Sequence, residues 1–241
     1  MNIHVFKGDR ELAQAGAGII AAEILRKPDA VLGLATGSSP LGIYQSLIDL
    51  YKEGIISFAD VTTFNLDEYL GLDPSHPESY HTYMSENFFN HVDQPEELRH
   101  IPNGIADDPE AESIAYDNAI ENAGGIDLQL LGIGTNGHIG FNEPDAVFAG
   151  MTHVVDLAES TIEANSRFFD SIDEVPRKAV SMGIRSIMQA KRILLIATGE
   201  AKAEAIRRTV RGPIDPDCPA SILQVHPDAT LLVDRAAASL L

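Results

Sequence analysis

Short apolar runs and amphipathic stretches alternate along the whole chain. Ile3-His4-Val5-Phe6 has strand length, and a pattern from Asp9 to about Leu25 follows with Leu12, Ile19, Ile20 and Ile24 on one face, the helical period. The pair then repeats. Ala30 to Ala35 is an apolar run of strand length, and after a Thr36-Gly37-Ser38-Ser39-Pro40 turn a helix carries Ile43, Leu47, Ile48 and Leu50. Val61 to Leu66 is β-branched and apolar, a third strand. Ser79 to Asn90 reads as a helix whose aromatics, Tyr80, Tyr83, Phe88 and Phe89, are expected in the core. Pro109 to Asn122 is an acidic amphipathic helix with Ile114, Ala115 and Ile120 inward.

The second half repeats the pattern. Ile126 to Leu131 predicts a buried strand, Ala158 to Asp170 a helix, Lys178 to Met182 a strand, and Ile184 to Ala190 a helix. Arg192 to Thr198 predicts another strand and Glu200 to Arg211 its helix. A short helix to about Val225 and a strand from Ala229 to Asp234 close the pattern. Strands alternating with helices predict an α/β fold: a doubly wound, mostly parallel, Rossmann-like sheet with helices on both faces. No repeat, low-complexity tract or linker interrupts it, so residues 1–241 are expected to form a single domain.

Composition narrows the function. The 241 residues include 17 Lys+Arg against 36 Asp+Glu, a formal net charge of −19, which repels nucleic acid and anionic lipid. No apolar run is long enough to span a membrane. The N-terminus lacks the basic flank and apolar core of a signal peptide. Cys218 is the only cysteine, which fits a reducing compartment, and a cytoplasmic location is expected. Beside two prolines and without a His or basic neighbour in sequence, Cys218 reads as structural. His76, His81, His91 and His100 lack metal-ligand spacing, and no metal is expected.

The chemistry gathers where strands end. Gly132-Ile133-Gly134-Thr135-Asn136-Gly137-His138-Ile139-Gly140-Phe141-Asn142-Glu143-Pro144 follows the Ile126–Leu131 run and offers Asn136, His138 and Glu143 in a glycine-punctuated loop. Gly132, Gly134 and Gly137 also spell the dinucleotide fingerprint. That motif must open a helix, which Gly140 and Pro144 prevent, and no cofactor is expected. The Thr36-Gly37-Ser38-Ser39 turn ahead of Pro40 offers backbone N–H groups and hydroxyls to a phosphate, or is simply a tight capped turn. Asp67 ends the third strand, with functional and turn-acid readings both open; adjacent Asp67 and Glu68 point apart in extended chain, so only one can lead. Arg167 stands out among few basic residues. Lys202, in a first helical turn, opposes the helix dipole, which a bound anion would explain as well as a tolerated surface position. Strand C-termini share one sheet edge, so these groups can converge. With no metal cluster, nucleophile elbow or P-loop lysine, proton transfer on a phosphorylated small molecule remains.

Taken together, Gly33-Leu34-Ala35-Thr36-Gly37-Ser38-Ser39-Pro40, Phe64-Asn65-Leu66-Asp67-Glu68-Tyr69, Gly137 to Pro144 and Asn165-Ser166-Arg167-Phe168-Phe169 resemble the glucosamine-6-phosphate deaminase family. The resemblance extends to Leu223-Gln224-Val225-His226-Pro227. It implies a cofactor-free conversion of glucosamine 6-phosphate and water into fructose 6-phosphate and ammonia, in amino-sugar catabolism. It further implies that His138, oriented by Glu143, opens the sugar ring and that Asp67 moves the C2 proton. Thr36, Gly37, Ser38, Ser39, Arg167 and Lys202 would hold the phosphate. Many family members carry Asp where this chain has Asn136, so Asn136 is expected to orient without titrating. Activated relatives place basic residues shortly after the catalytic loop and have a longer tail. Here Gly150 to Asp156 has no Lys or Arg, and allosteric activation is expected to be absent. A 6-phosphogluconolactonase or a non-enzymatic sugar-phosphate sensor remain as alternatives, and monomer versus homo-oligomer stays open.

Overall fold

The computed structural model describes residues 1–166, 169 and 171–241. Seven parallel strands form the central sheet: β1 (Asn2–Phe6), β2 (Val31–Leu34), β3 (Thr62–Asn65), β5 (Arg99–His100), β6 (Leu128–Leu131), β9 (Ile193–Ala197) and β10 (Ala229–Asp234). Their order across the sheet is β1-β10-β9-β6-β2-β3-β5. Strands β2, β6 and β9 are buried throughout. Such runs, apolar without alternation, are what a sheet covered on both faces requires.

The order explains where a ligand can sit. From β1 the chain moves to β2 and then β3 in one direction across the sheet, through α1 (Asp9–Arg26) and α2 (Leu41–Lys52). From β6 it moves to β9 and then β10 in the other direction, the last crossover being α7 (Ala203–Arg211). Right-handed crossovers therefore put α1 and α2 on one face and α7 on the other. The reversal falls between β2 and β6, which are hydrogen-bonded neighbours. A crevice opens at the carboxyl ends of two strands whose connections diverge in this way.

A second, three-stranded sheet was not anticipated from the sequence. It is antiparallel, in the order β4 (Asp67–Tyr69), β8 (Lys178–Ser181), β7 (His153–Asp156). The Lys178–Ser181 strand, expected in the main sheet, belongs here, and Gly150 to Asp156 contains a strand. The chain leaves β3 through Leu66, whose N–H still donates to Leu34 at 3.0 Å and whose carbonyl accepts from Met182 at 2.8 Å. Asp67 thus starts a strand of its own at the junction of the two sheets. Tyr69, Phe141, Leu157, Ile162, Val175 and Ala179 form a separate small core beneath this sheet.

Local chemistry accounts for the helix starts near the crevice. Helix α3 (Tyr80–Asn87) begins at Ser79, whose hydroxyl accepts from Thr82 N–H at 3.0 Å. Asp108 caps α4 (Pro109–Asn122) by accepting from Ala111 at 3.0 Å, with proline at the first position. The helix expected from Ala158 to Asp170 is shorter among the described residues, α5 being Glu159–Asn165. Helix α6 spans Ile184–Met188. Among the described residues no helix is long and apolar enough to cross a membrane.

Candidate active site

The crevice holds a cavity of about 310 Å³ lined by Thr36, Gly37, Ser38 and Ser39 after β2, Asp67 of β4, Tyr80 of α3, Gly134, Asn136, His138 and Phe141 of the loop after β6, Thr161 of α5 and Lys202. Nine of the ten residues singled out from the sequence are placed here or, for Glu143, directly behind it. The tenth, Arg167, lies outside the described residues.

The loop from Gly132 to Pro144 owes its shape to glycine at two points. A Cβ on Gly134 would stand 2.3 Å from the His138 ring, so the imidazole folds back over bare backbone. Gly137 has φ +93°, and a Cβ there would meet Cys218 Sγ at 2.5 Å. Glycine alone satisfies both demands. The loop is anchored at both ends: Phe141 N–H donates to Ser181 Oγ at 3.1 Å, and Ala220 N–H donates to the Gly137 carbonyl at 2.9 Å. Cys218 is buried against this loop, and burial pushes its thiol up. That environment suits packing rather than nucleophilic attack.

His138 Nδ1 lies 3.2 Å from Glu143 Oε1, at ion-pair distance. The ring N–H is not aligned with that oxygen, a looseness common in sites awaiting substrate. Thr161 Oγ1 donates to the same Glu143 oxygen at 2.5 Å, and Asn136 Nδ2 donates to Oε2 at 2.6 Å. Burial alone would raise the Glu143 carboxyl, but the His138, Thr161 and Asn136 contacts outweigh it and hold it at about 2. Asn136 reaches His138 only through the backbone, its Oδ1 accepting from the His138 N–H at 3.2 Å. Its side-chain donor is given to Glu143, so it steadies the carboxylate that faces the imidazole.

Asp67 is the opposite case. It is 6% exposed, and among the described residues no donor or cation contacts its carboxylate. Burial first, and the neighbouring Glu68 charge second, push it up to about 8. Glu68 turns the other way and accepts from the backbone N–H groups of Tyr69, Tyr80 and His81 at 2.8, 3.0 and 3.0 Å. It is the N-terminal anchor of α3, and only Asp67 faces the cavity.

At the other end of the cavity, Thr36 to Ser39 curl ahead of α2 beside Lys202, whose ammonium burial pulls down. Tyr83 Oη donates to the Gly37 carbonyl at 2.5 Å and braces the turn. Lys202 sits on the one-turn segment Glu200–Lys202, whose leading Gly199 N–H is held by both Asp234 oxygens at 3.1 Å.

The sequence did not single out Tyr80 or Thr161. Tyr80, expected in the core with the other aromatics of its helix, lines the cavity. It stacks on Phe141 with ring centroids 6.2 Å apart and shares hydrogen bonds with Tyr69 and Thr36. Thr161 is one of several small polar residues on its helix, and nothing in its own spacing marks it.

A buried carboxyl held protonated, an imidazole with a fixed carboxylate behind it, and a hydroxyl-rich turn beside a lysine together suit proton transfer on an anionic small molecule. The chain belongs to the glucosamine-6-phosphate isomerase and 6-phosphogluconolactonase family, whose model matches residues 9–232. It is 56% identical to a glucosamine-6-phosphate deaminase of Halothermothrix orenii over 100% of both chains. It is 55% identical to that of Clostridioides difficile, over 99% of this chain and 96% of the other. A solved monomeric glucosamine-6-phosphate deaminase superposes with a TM-score of 0.97 at 52% identity, covering 100% of both chains. The 6-phosphogluconolactonase from Trypanosoma cruzi shares the fold, with a TM-score of 0.78 at 19% identity.

Proposed function

We infer that this chain converts glucosamine 6-phosphate and water into fructose 6-phosphate and ammonia, without a cofactor, as a cytoplasmic enzyme of amino-sugar breakdown. The observation that carries the reading is Asp67: a buried carboxyl with no donor or cation partner among the described residues, in the same cavity as the His138–Glu143 pair. Lactone hydrolysis needs no group that removes a carbon-bound proton, whereas an aldose–ketose step through an enolamine does.

The phosphate rests on the Thr36–Ser39 turn with Lys202, and Arg167 adds a bidentate fork. His138 moves the proton between the ring oxygen and the anomeric hydroxyl, opening the pyranose to the aldehyde. Glu143, kept ionised by the Thr161 and Asn136 donors and the facing imidazole, holds the ring in place. Asp67 takes the C2 proton while one ammonium proton passes to the C1 oxygen, giving a cis-enolamine, and Asp67 then returns its proton at C1. The resulting ketimine takes up water at C2, and the nitrogen leaves as ammonia. Atoms balance across the sequence: one water enters and one ammonia departs. Positioned acid–base groups of this kind each contribute about 10²–10⁴ in rate.

Ammonia release from glucosamine 6-phosphate tests the reading, with Asp67→Asn as the control and 6-phosphogluconolactone as the competing substrate. Turnover of the lactone without ammonia release would reverse the assignment.

A further inference from the structure

We propose that the substrate's own C2 ammonium is the cation that ionises Asp67, so that the base becomes competent only when a 2-amino sugar phosphate occupies the cavity. This rests on the deaminase reading and identifies what makes the site selective for an amine.

The argument begins with what surrounds the carboxylate. Asp67 starts β4 and faces the cavity at 6% exposure. On its own strand the neighbours are Glu68, an acid, and Tyr69, a phenol. Tyr80 of α3 and Tyr116 of α4 approach from two other elements and interact with its charge, and both are phenols raised well above their ordinary range by burial. From the loop after β6 comes His138, whose Nδ1 lies 3.2 Å from Glu143 Oε1. Lys202 lines the same cavity with the Thr36–Ser39 turn, where the phosphate is placed, and is not among the charges that act on Asp67. Behind it, a Cβ on Gly140 would stand 3.6 Å from Asp67 Oδ2, so bare backbone approaches there. Ser181, its cross-strand partner, has its hydroxyl turned to Phe141 N–H and the Met182 carbonyl. Among the described residues no cation pairs with the Asp67 carboxylate, and the one charge that acts on it is the like charge of Glu68.

Burial and Glu68 accordingly keep the free carboxyl protonated up to about pH 8. A protonated acid cannot accept the C2 proton, so the free protein holds an inactive base near neutrality. The substrate supplies what is missing. C2 carries both the proton to be removed and the nitrogen, so a carboxylate placed to take the one lies within a few ångströms of the other. An opposite charge within about 4–6 Å lowers carboxyl titration by roughly one to three pH units. From about 8, that span reaches below neutrality. A 2-hydroxy sugar phosphate fits the same volume and offers no such charge. It leaves Asp67 protonated and is not enolised.

Two open-chain ligands that cannot turn over separate the effect: 2-amino-2-deoxyglucitol 6-phosphate and glucitol 6-phosphate. Titration calorimetry at pH 7 in buffers of different ionisation heat reads proton release. The amino ligand is expected to release about half to nine-tenths of a proton more than the hydroxyl ligand, and to bind about twofold to a hundredfold more tightly. In Asp67→Asn both the extra proton and the affinity ratio should disappear. In the wild-type protein, the infrared stretch of a protonated carboxyl should vanish with the amino ligand and persist with the hydroxyl ligand, a readout that does not depend on the variant folding. Equal proton release by the two ligands, or an affinity ratio kept in Asp67→Asn, overturns the proposal. Ammonia release from glucosamine 6-phosphate is scored separately, so a failure here is distinguishable from failure of the deaminase reading.

Discussion

Asp67 and Glu143 are carboxyls of one site driven in opposite directions, to about 8 and about 2. The protein holds Glu143 with donors and leaves Asp67 bare, which assigns the anchor and the transferable proton. Both have stability consequences of opposite sign. A folded-state value below the unfolded one makes Glu143 stabilising above about pH 4.5, and that contribution is lost as pH falls towards 2. Asp67 has its folded value raised above the unfolded 3.8, so its contribution is lost as pH rises from about 4 to 8. Asp67→Asn should therefore abolish ammonia release yet raise the melting temperature at pH 8 by about 3 °C or more, the shift expected of one or two kcal/mol in a chain of this size. At pH 4 the gain should be near zero. A variant less stable than wild type at pH 8 would contradict this account. Asn136→Asp sets a second carboxylate 2.6 Å from Glu143, and two such groups share a proton. The acid limb of kcat/KM should move to higher pH while turnover at the new optimum falls less than about tenfold. Complete loss at every pH would show that Asn136 does more than orient. These residues were legible because each is a titratable or amide group in the segment that follows a main-sheet strand. Tyr80 and Thr161 were not, since a helix aromatic and a helix threonine look alike whether they face a core or a cavity.

At the scale of elements, the small sheet and α5 decide how the acid–base pair is held. Thr161 brings α5 onto Glu143 with a 2.5 Å bond, and Ile162 beside it is buried in the core shared with Tyr69 and Phe141. Thr161→Val keeps shape and burial and removes only the donor. It should lower kcat about tenfold, while Thr161→Ser restores most of it. Because Glu143 serves ring opening, slowing that step should shrink the isotope effect measured with C2-deuterated substrate. An isotope effect unchanged at reduced kcat would place Thr161 outside ring opening. Most main-sheet strands and helix starts were legible from apolar runs bounded by glycine, proline and capping residues. The second sheet was not. Its strands are three or four residues long, and their pairing is between segments far apart in sequence, which local periodicity does not report. Glu68 shows the same limit: its role as anchor of α3 depends on three N–H groups brought to it by the fold.

Across the whole molecule, charge and surface bear on regulation. Behind the catalytic loop a second cavity of about 380 Å³ is lined by Glu143, Asp145, Asp156, His153 and Asn142 among apolar residues, with no Lys or Arg among the described residues. A ligand there would touch the back of Glu143, yet an anionic sugar phosphate meets acids on a protein whose net charge is −19. Like charge on every copy opposes association at low salt. Substrate saturation should therefore be hyperbolic, with no change when N-acetylglucosamine 6-phosphate is added up to substrate-level concentrations. Light scattering should give one species near 26.0 kDa, and specific activity should not depend on protein concentration. A sigmoidal curve that becomes hyperbolic with that compound would show that a cation enters the cavity from elsewhere, and a partner copy would be its source. The mass measurement decides that point independently, because such a partner would have to appear as a larger species under the same conditions.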